Sequence, residues 1–154
     1  QRGVQGQRPV KLPRKKVPHL MVTAAVIQKD GLVLLAQRPA HGLLGGLWEF
    51  PGGTLEEIDE DLALCLKREI AEELGVDVHI GAPFGRYQHA YTHFKITLHA
   101  FLCRMEPNQI PQSLEHDGIA WVSLEELPAY PMGKVDRLIA NRLAKEGLHG
   151  NLPD

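Results

Sequence analysis

Residues 60 to 75 constrain this chain more than any other stretch, because they crowd three carboxylates onto the rim of an apolar helical stripe. At about 100° per residue, with Leu62 as zero, Glu72, Glu69 and Glu73 fall at roughly 280°, 340° and 20°. Leu62, Leu66, Ile70, Ala63 and Leu74 fill the sector from roughly 0° to 120°. The acids therefore overlap the edge of the face that must be buried. Carboxylates half out of water repel one another, and a cation seated among them relieves that cost. A hard divalent ion such as Mg²⁺ or Mn²⁺ prefers such oxygen ligands. The plainer alternative is a solvated acidic helix with Lys67 and Arg68 as local partners.

The surroundings favour the first reading. Asp59, Glu60 and Asp61 open the helix, where its dipole suits anions, and Gly75 stops it. Pro51-Gly52-Gly53 ends an apolar run, Leu47-Trp48-Glu49-Phe50, and glycines there permit close backbone approach. The whole segment resembles a Nudix box: Gly, five residues, Glu, seven residues, Arg-Glu, aliphatic, any, Glu-Glu, any, Gly, aliphatic. Glu60, Arg68, Glu69, Ile70, Glu72, Glu73, Gly75 and Val76 match in spacing. Gly53 stands one residue too far from Glu60, which an extra residue in the loop from Glu56 to Asp59 would explain. The resemblance implies Glu69 and Glu73 as main metal ligands, Glu72 assisting, and the Gly53 carbonyl contributing. It implies that Arg68 orients a glutamate, that Glu60 supports the loop or holds metal-bound water, and that Gly52 and Gly75 shape the box.

The 154 residues suit one domain with a closed core. Net charge of −2 excludes little, but charge is unevenly spread. Residues 1 to 29 carry seven of the seventeen lysines and arginines and none of the nineteen acids. A basic leader bearing Pro9, Pro13 and Pro18 reads as a linker or nucleic-acid-contacting arm over 1–18, or as a solvated tail. The Nudix domain is expected over 19–147 and a tail over 148–154. Cys65 and Cys103 follow no metal-ligand spacing and read as reduced, buried thiols of a cytoplasmic protein. No apolar stretch reaches membrane-spanning length, so no membrane partner is expected. A start on Gln1 fits a segment of a longer chain.

Along the chain, strands are expected at 21–27, 32–36, 48–50, 76–80, 84–90, 94–104 and 119–122. The acidic helix follows the third strand. A capped helix is expected from Ser123 and a final amphipathic one from Gly133 to Glu146. This order implies an α/β fold, a mixed β-sheet between helices in an α/β/α sandwich of Nudix type.

A second, narrower resemblance is to the C-terminal domain of MutY-type adenine DNA glycosylases. It rests on Gln37-Arg38-Pro39, on residues 42–51, on His89-Ala90-Tyr91-Thr92-His93-Phe94, on Tyr130-Pro131-Met132 and on the basic leader. It implies a DNA-repair module that recognises 8-oxoguanine opposite adenine, joined to an N-terminal glycosylase domain that has no counterpart here, in a nucleoid-associated setting. Tyr91, Thr92 and His93 match the family's lesion-reading tip: a ring can wedge at a base step, while hydroxyl and imidazole reach the lesion's edge. His89, His93 and His99 read equally well as sheet histidines with ordinary partners. Trp48 and Phe50 read as core anchors, with base stacking the alternative for Trp48. Arg38 reads as a phosphate or nucleotide ligand or a surface charge.

Two functions follow. The leading one is this reader domain with a retained metal-binding box. The other is a stand-alone Mg²⁺-dependent pyrophosphohydrolase acting on nucleoside triphosphates, oxidised ones included. There Arg68, Glu69 and Glu72 form the catalytic group, and Glu69, Glu72 or Glu115 takes a proton from water.

Overall fold

The computed structural model describes residues 17–148. The linker expected over 1–18 lies almost wholly outside them, as does the tail beyond Leu148. Strand β1 runs from His19 to Lys29 and β2 from Leu32 to Gln37. Between them Asp30 (φ 53°) and Gly31 (φ 79°) both take left-handed backbone, the geometry that matches a two-residue hairpin to strand twist. Strand β3 is Trp48–Glu49, helix α1 Leu62–Leu74, β4 Val78–Ala90, β5 Lys95–Met105, β6 Gly118–Ser123 and α2 Lys134–Glu146.

Strand β1 pairs in parallel with β5, which pairs antiparallel with β4. One edge of β2 is shared by β1 and β3, and the other carries β6. Alternate residues of β1 face opposite sides. Ala25 and Ile27 pack with Leu66, Ile70 and Leu74 of α1, whereas Ala24 and Val26 share a second core with Val135, Ile139 and Leu143 of α2. The mixed sheet between helices expected from the sequence is present.

Several expected boundaries move for identifiable reasons. The strands at 76–80 and 84–90 are one strand, β4, whose register shifts around Pro83; a proline cannot donate to the ladder, and a bulge absorbs it. The helix expected from Ser123 is only a 3-10 turn, Leu127–Ala129. Glu126 accepts from Ser123 N–H at 3.2 Å as a capping pair would, but Pro128 and Pro131 leave no run of donors to continue it. Helix α1 begins later than the acidic triplet suggested. Asp61 is its cap, accepting from Leu64 N–H at 2.8 Å, and Gly75 (φ 69°) closes it.

Candidate active site

The Gly52-Gly53 turn is laid along β1 by backbone bonds. Ala25 N–H donates to the Pro51 carbonyl at 2.7 Å, Thr23 N–H to Gly53 at 2.8 Å, and Leu55 N–H to Met21 at 2.8 Å. A Cβ on Gly52 (φ 156°) would overlap the Thr23 backbone, and one on Gly53 would overlap the Glu69 carboxylate. Glycine at 52 therefore lets the turn lie this close to β1, and glycine at 53 leaves room for the Glu69 carboxylate where it stands. The Gly53 carbonyl, expected to face a cation, turns instead to Thr23, accepting from both its N–H (2.8 Å) and its hydroxyl (3.0 Å). That fills both lone pairs. No bond to the Gly52 carbonyl is found among the described residues, so Gly52 offers the free backbone oxygen.

Arg68 organises the exposed half of α1. Its Nε and Nη2 donate to the two oxygens of Asp59, each at 2.8 Å, a bidentate pair on a side chain 3% exposed. Its Nη1 reaches Glu69 at 3.1 Å and Glu72 at 3.2 Å. The Arg68 bonds, and then the Glu56 N–H, hold the Asp59 carboxyl far below the usual range. Glu60, expected to support this loop or to hold metal-bound water, is exposed, and the bonds to Arg68 are made by Asp59. The spacing explains the difference: Asp59 stands six residues after Gly53, as the box requires, so the extra residue follows Asp59 and does not precede it.

Glu73 is the costly member. It is 4% exposed, and its Oε1 has no hydrogen-bond partner among the described residues. Burial first, and then neighbouring Glu69 and Glu49, push its carboxyl well above the usual range, while the Gly52 N–H pulls it back. Facing it is His116, whose Nε2 lies 3.8 Å from Glu73 Oε1 and 2.9 Å from Glu49 Oε2. Glu49 gives its other oxygen to Arg38 Nη1 at 2.7 Å. Neither Glu49 nor His116 was singled out in the sequence as a site residue. Glu49 sits in an apolar strand run and His116 in an aperiodic polar loop, so neither carries a local signal.

Beside this acid group opens a cavity of about 370 Å³. Leu20, Val22, Ile96, Leu98 and Val135 make its apolar wall, and Arg38, Glu49, Gly52, Gly53, Tyr91, Phe94 and Asp136 line the rest. Tyr91 and Phe94 stack at 4.7 Å with their planes 26° apart. Asp136 accepts from Phe50 N–H at 3.0 Å. Burial, then Glu49, raise its carboxyl to about 7. The three-residue tip expected to read a lesion is thus divided. Tyr91 lines the cavity with Arg38, whereas Thr92 and His93 are exposed. Trp48 packs edge-on against Tyr130 at 5.1 Å and against the core, which makes it an anchor and not a stacking platform. The box residue Gly75 sits at the end of α1 and caps it.

Among the described residues, no three His, Cys, Asp or Glu side chains converge as a ready metal cluster. Arg68 draws Glu69 and Glu72 to itself, while Glu73 points into the interior. The donor set nevertheless fits a hard cation. It offers a buried carboxylate with an orphaned oxygen, a neighbouring acid in the Gly53 cradle, and Glu72, half exposed and oriented by Arg68.

Residues 22–142 match the family described as NUDIX domain. The CTP pyrophosphohydrolase of Escherichia coli K12 is 40% identical over 115 residues, covering 75% of this chain and 84% of that protein. The solution structure of the E. coli ORF135 protein superposes with a TM-score of 0.70 at 35% identity, covering 86% of this chain and 96% of that one. The adenine DNA glycosylase of Mus musculus is 32% identical over 124 residues, which are 77% of this chain but only 24% of that protein. The glycosylase resemblance is therefore real, yet a small hydrolase matches at higher identity and over most of its own length. With the glycine turn, the Arg68-Glu69 and Glu72-Glu73 pairs and the sandwich all in place, the chain belongs to the Nudix hydrolase family.

Proposed function

We propose that this chain is a Mg²⁺- or Mn²⁺-dependent pyrophosphohydrolase of nucleoside triphosphates. One observation carries the reading: a cavity of base size, with an aromatic pair and a carboxyl at its edge, opens directly beside the carboxylate rim of α1. The base would enter against Tyr91 and Phe94. Asp136, anchored by Phe50 N–H, would meet its hydrogen-bonding edge with the oxygen left over. The phosphates would then lie over Gly52, Glu69, Glu72 and Glu73, with Arg38 at the mouth. A divalent ion held by Glu69, Glu72 and Glu73, with the Gly52 carbonyl, would supply charge neutralisation and acidify water for in-line attack. Arg68 keeps Glu69 and Glu72 oriented. Glu72, the most exposed of the three, or the exposed Glu115 takes the proton. The likeness to a CTP pyrophosphohydrolase supports cytidine nucleotides as first substrates to try, and oxidised purine triphosphates follow from the cavity's capacity for a planar ring.

The test is a panel of CTP, dCTP and 8-oxoguanine deoxynucleoside triphosphate with Mg²⁺, following monophosphate and pyrophosphate. Turnover that Glu72→Gln reduces at least about 100-fold supports the reading. No turnover of any member overturns it.

A second reading, as the lesion-reading domain of an adenine glycosylase, is favoured by the exposed Thr92 and His93 at the β4–β5 tip. Binding to duplexes with 8-oxoguanine or guanine opposite adenine decides it at one fixed salt concentration. Preference for the lesion that Thr92→Ala removes supports a DNA partner. Equal affinity rules it out for this domain.

A further inference from the structure

Between the cavity and the carboxylate rim runs a line of side-chain contacts in which one residue, His116, joins the two halves. Arg38, at the cavity, bonds Glu49 at 2.7 Å; Glu49 bonds His116 at 2.9 Å; His116 faces Glu73 at 3.8 Å. The His116 side chain is 6% exposed, too buried to be an incidental surface histidine. Its loop is stapled from both sides. Gln112 N–H donates to Leu74 and Leu114 N–H to Glu73, pinning one arm to the end of α1. Asp117 N–H donates to Gln37, and Asp117 accepts from Ala40 N–H at 3.1 Å, pinning the other arm to β2 and its loop. The Ser113 hydroxyl closes the turn on the His116 carbonyl at 2.7 Å. These anchors hold the loop where the imidazole lies between two carboxylates.

Its tautomer follows from its partners. Nε2 stands against a carboxylate oxygen and must donate, while Nδ1 is buried with no partner among the described residues. The contact that the fold uses is thus the N–H at the Nε2 corner. We propose that His116 is the positioning residue of the cation site: its Nε2–H fixes Glu49, and the ring so held keeps its Nε2 edge 3.8 Å from Glu73 Oε1, bounding the place where that carboxylate would meet a divalent ion. This rests on the reading of Glu73 as a cation ligand. Removing the imidazole would leave Glu73 loose in a dry corner and release Glu49, and with it Arg38, from the rim. Loss of such an outer partner commonly weakens metal affinity or activity about 10- to 100-fold.

Replacement by Gln and by Asn tests the corner that matters. Gln puts an N–H donor where Nε2 stood, whereas Asn puts one where Nδ1 stood, with equal polarity. The full chain without nucleotide is titrated with Mn²⁺, and free ion is followed by electron paramagnetic resonance. His116→Asn and His116→Ala are expected to bind Mn²⁺ about 10- to 100-fold more weakly, with His116→Gln within about threefold of the parent. A role confined to packing would move Gln and Asn alike. Parent-like affinity in folded His116→Asn overturns the inference, as does an equal loss in Gln and Asn. Should His116→Ala not fold, the Gln–Asn contrast still decides. Absence of Mn²⁺ binding by the parent chain would sink the cation reading itself, and is distinguishable because no variant is then needed.

Discussion

A carboxylate with one orphaned oxygen, buried against two other acids, is an expensive thing for a fold to keep, and Glu73 is such a residue. Groups of this kind trade stability for function. Glu73→Gln keeps the shape and spares the fold the proton that burial forces onto this carboxyl. It is expected to raise the melting temperature in chelator, by on the order of 1–3 kcal/mol of stability, while abolishing the gain that Mn²⁺ gives the parent. Thermal melts with and without Mn²⁺ check both halves, and a lower midpoint in chelator would contradict the first.

Asp136 gives a second handle at the same scale. Its folded carboxyl is raised to about 7 from an ordinary 3.8. The proton is thus bound more tightly in the folded chain, so this group's contribution is complete below about pH 4. It fades as the pH climbs through about 7. Asp136→Asn should flatten that decline and leave the variant more stable at pH 8, by on the order of 1–2 kcal/mol once solvent in the open cavity is allowed for. Urea titrations at pH 4.5 and pH 8 measure it; an unchanged difference between the two pH values would refute the assignment.

At the scale of elements, α1 and its leading loop show where local pattern suffices and where it fails. The helix was legible because its apolar stripe and its acids are periodic, and periodicity needs no knowledge of the rest of the chain. The loop before it was not. Counting back from Arg68 selects Glu60, whereas counting forward from Gly53 selects Asp59, and only the folded loop brings Asp59 onto the guanidinium at 2.8 Å. Asp59→Asn should therefore lower both melting temperature and Mn²⁺ affinity, because Arg68 loses its bidentate anchor and with it the posture of Glu69 and Glu72. Glu60→Gln should change neither. Melts and Mn²⁺ titrations of the pair would contradict this if Glu60→Gln were the damaging change.

For the whole molecule, the sandwich was legible from the order of strands and helices, since each element must bury one face and few layer arrangements do so. The complete site was not. Arg38 follows β2, Glu49 lies in β3, Tyr91 follows β4, His116 precedes β6 and Asp136 lies in α2. Their meeting is a property of the tertiary fold that no local spacing encodes. The same gap explains why two resemblances competed. Tyr91-Thr92-His93 reads as a DNA-facing tip in one dimension, but in three Tyr91 turns to the cavity and only its neighbours face out.

The proposed activity requires a divalent ion at the α1 rim with a nucleotide base in the adjoining cavity. A crystal of the full chain soaked with Mn²⁺ and a non-hydrolysable cytidine triphosphate analogue, read by anomalous scattering, tests both at once. The expected map has a manganese peak between Glu69, Glu72 and Glu73, with the base beside Tyr91 and Asp136. A map with these carboxylates turned away from any peak, or with the base outside the cavity, would contradict it.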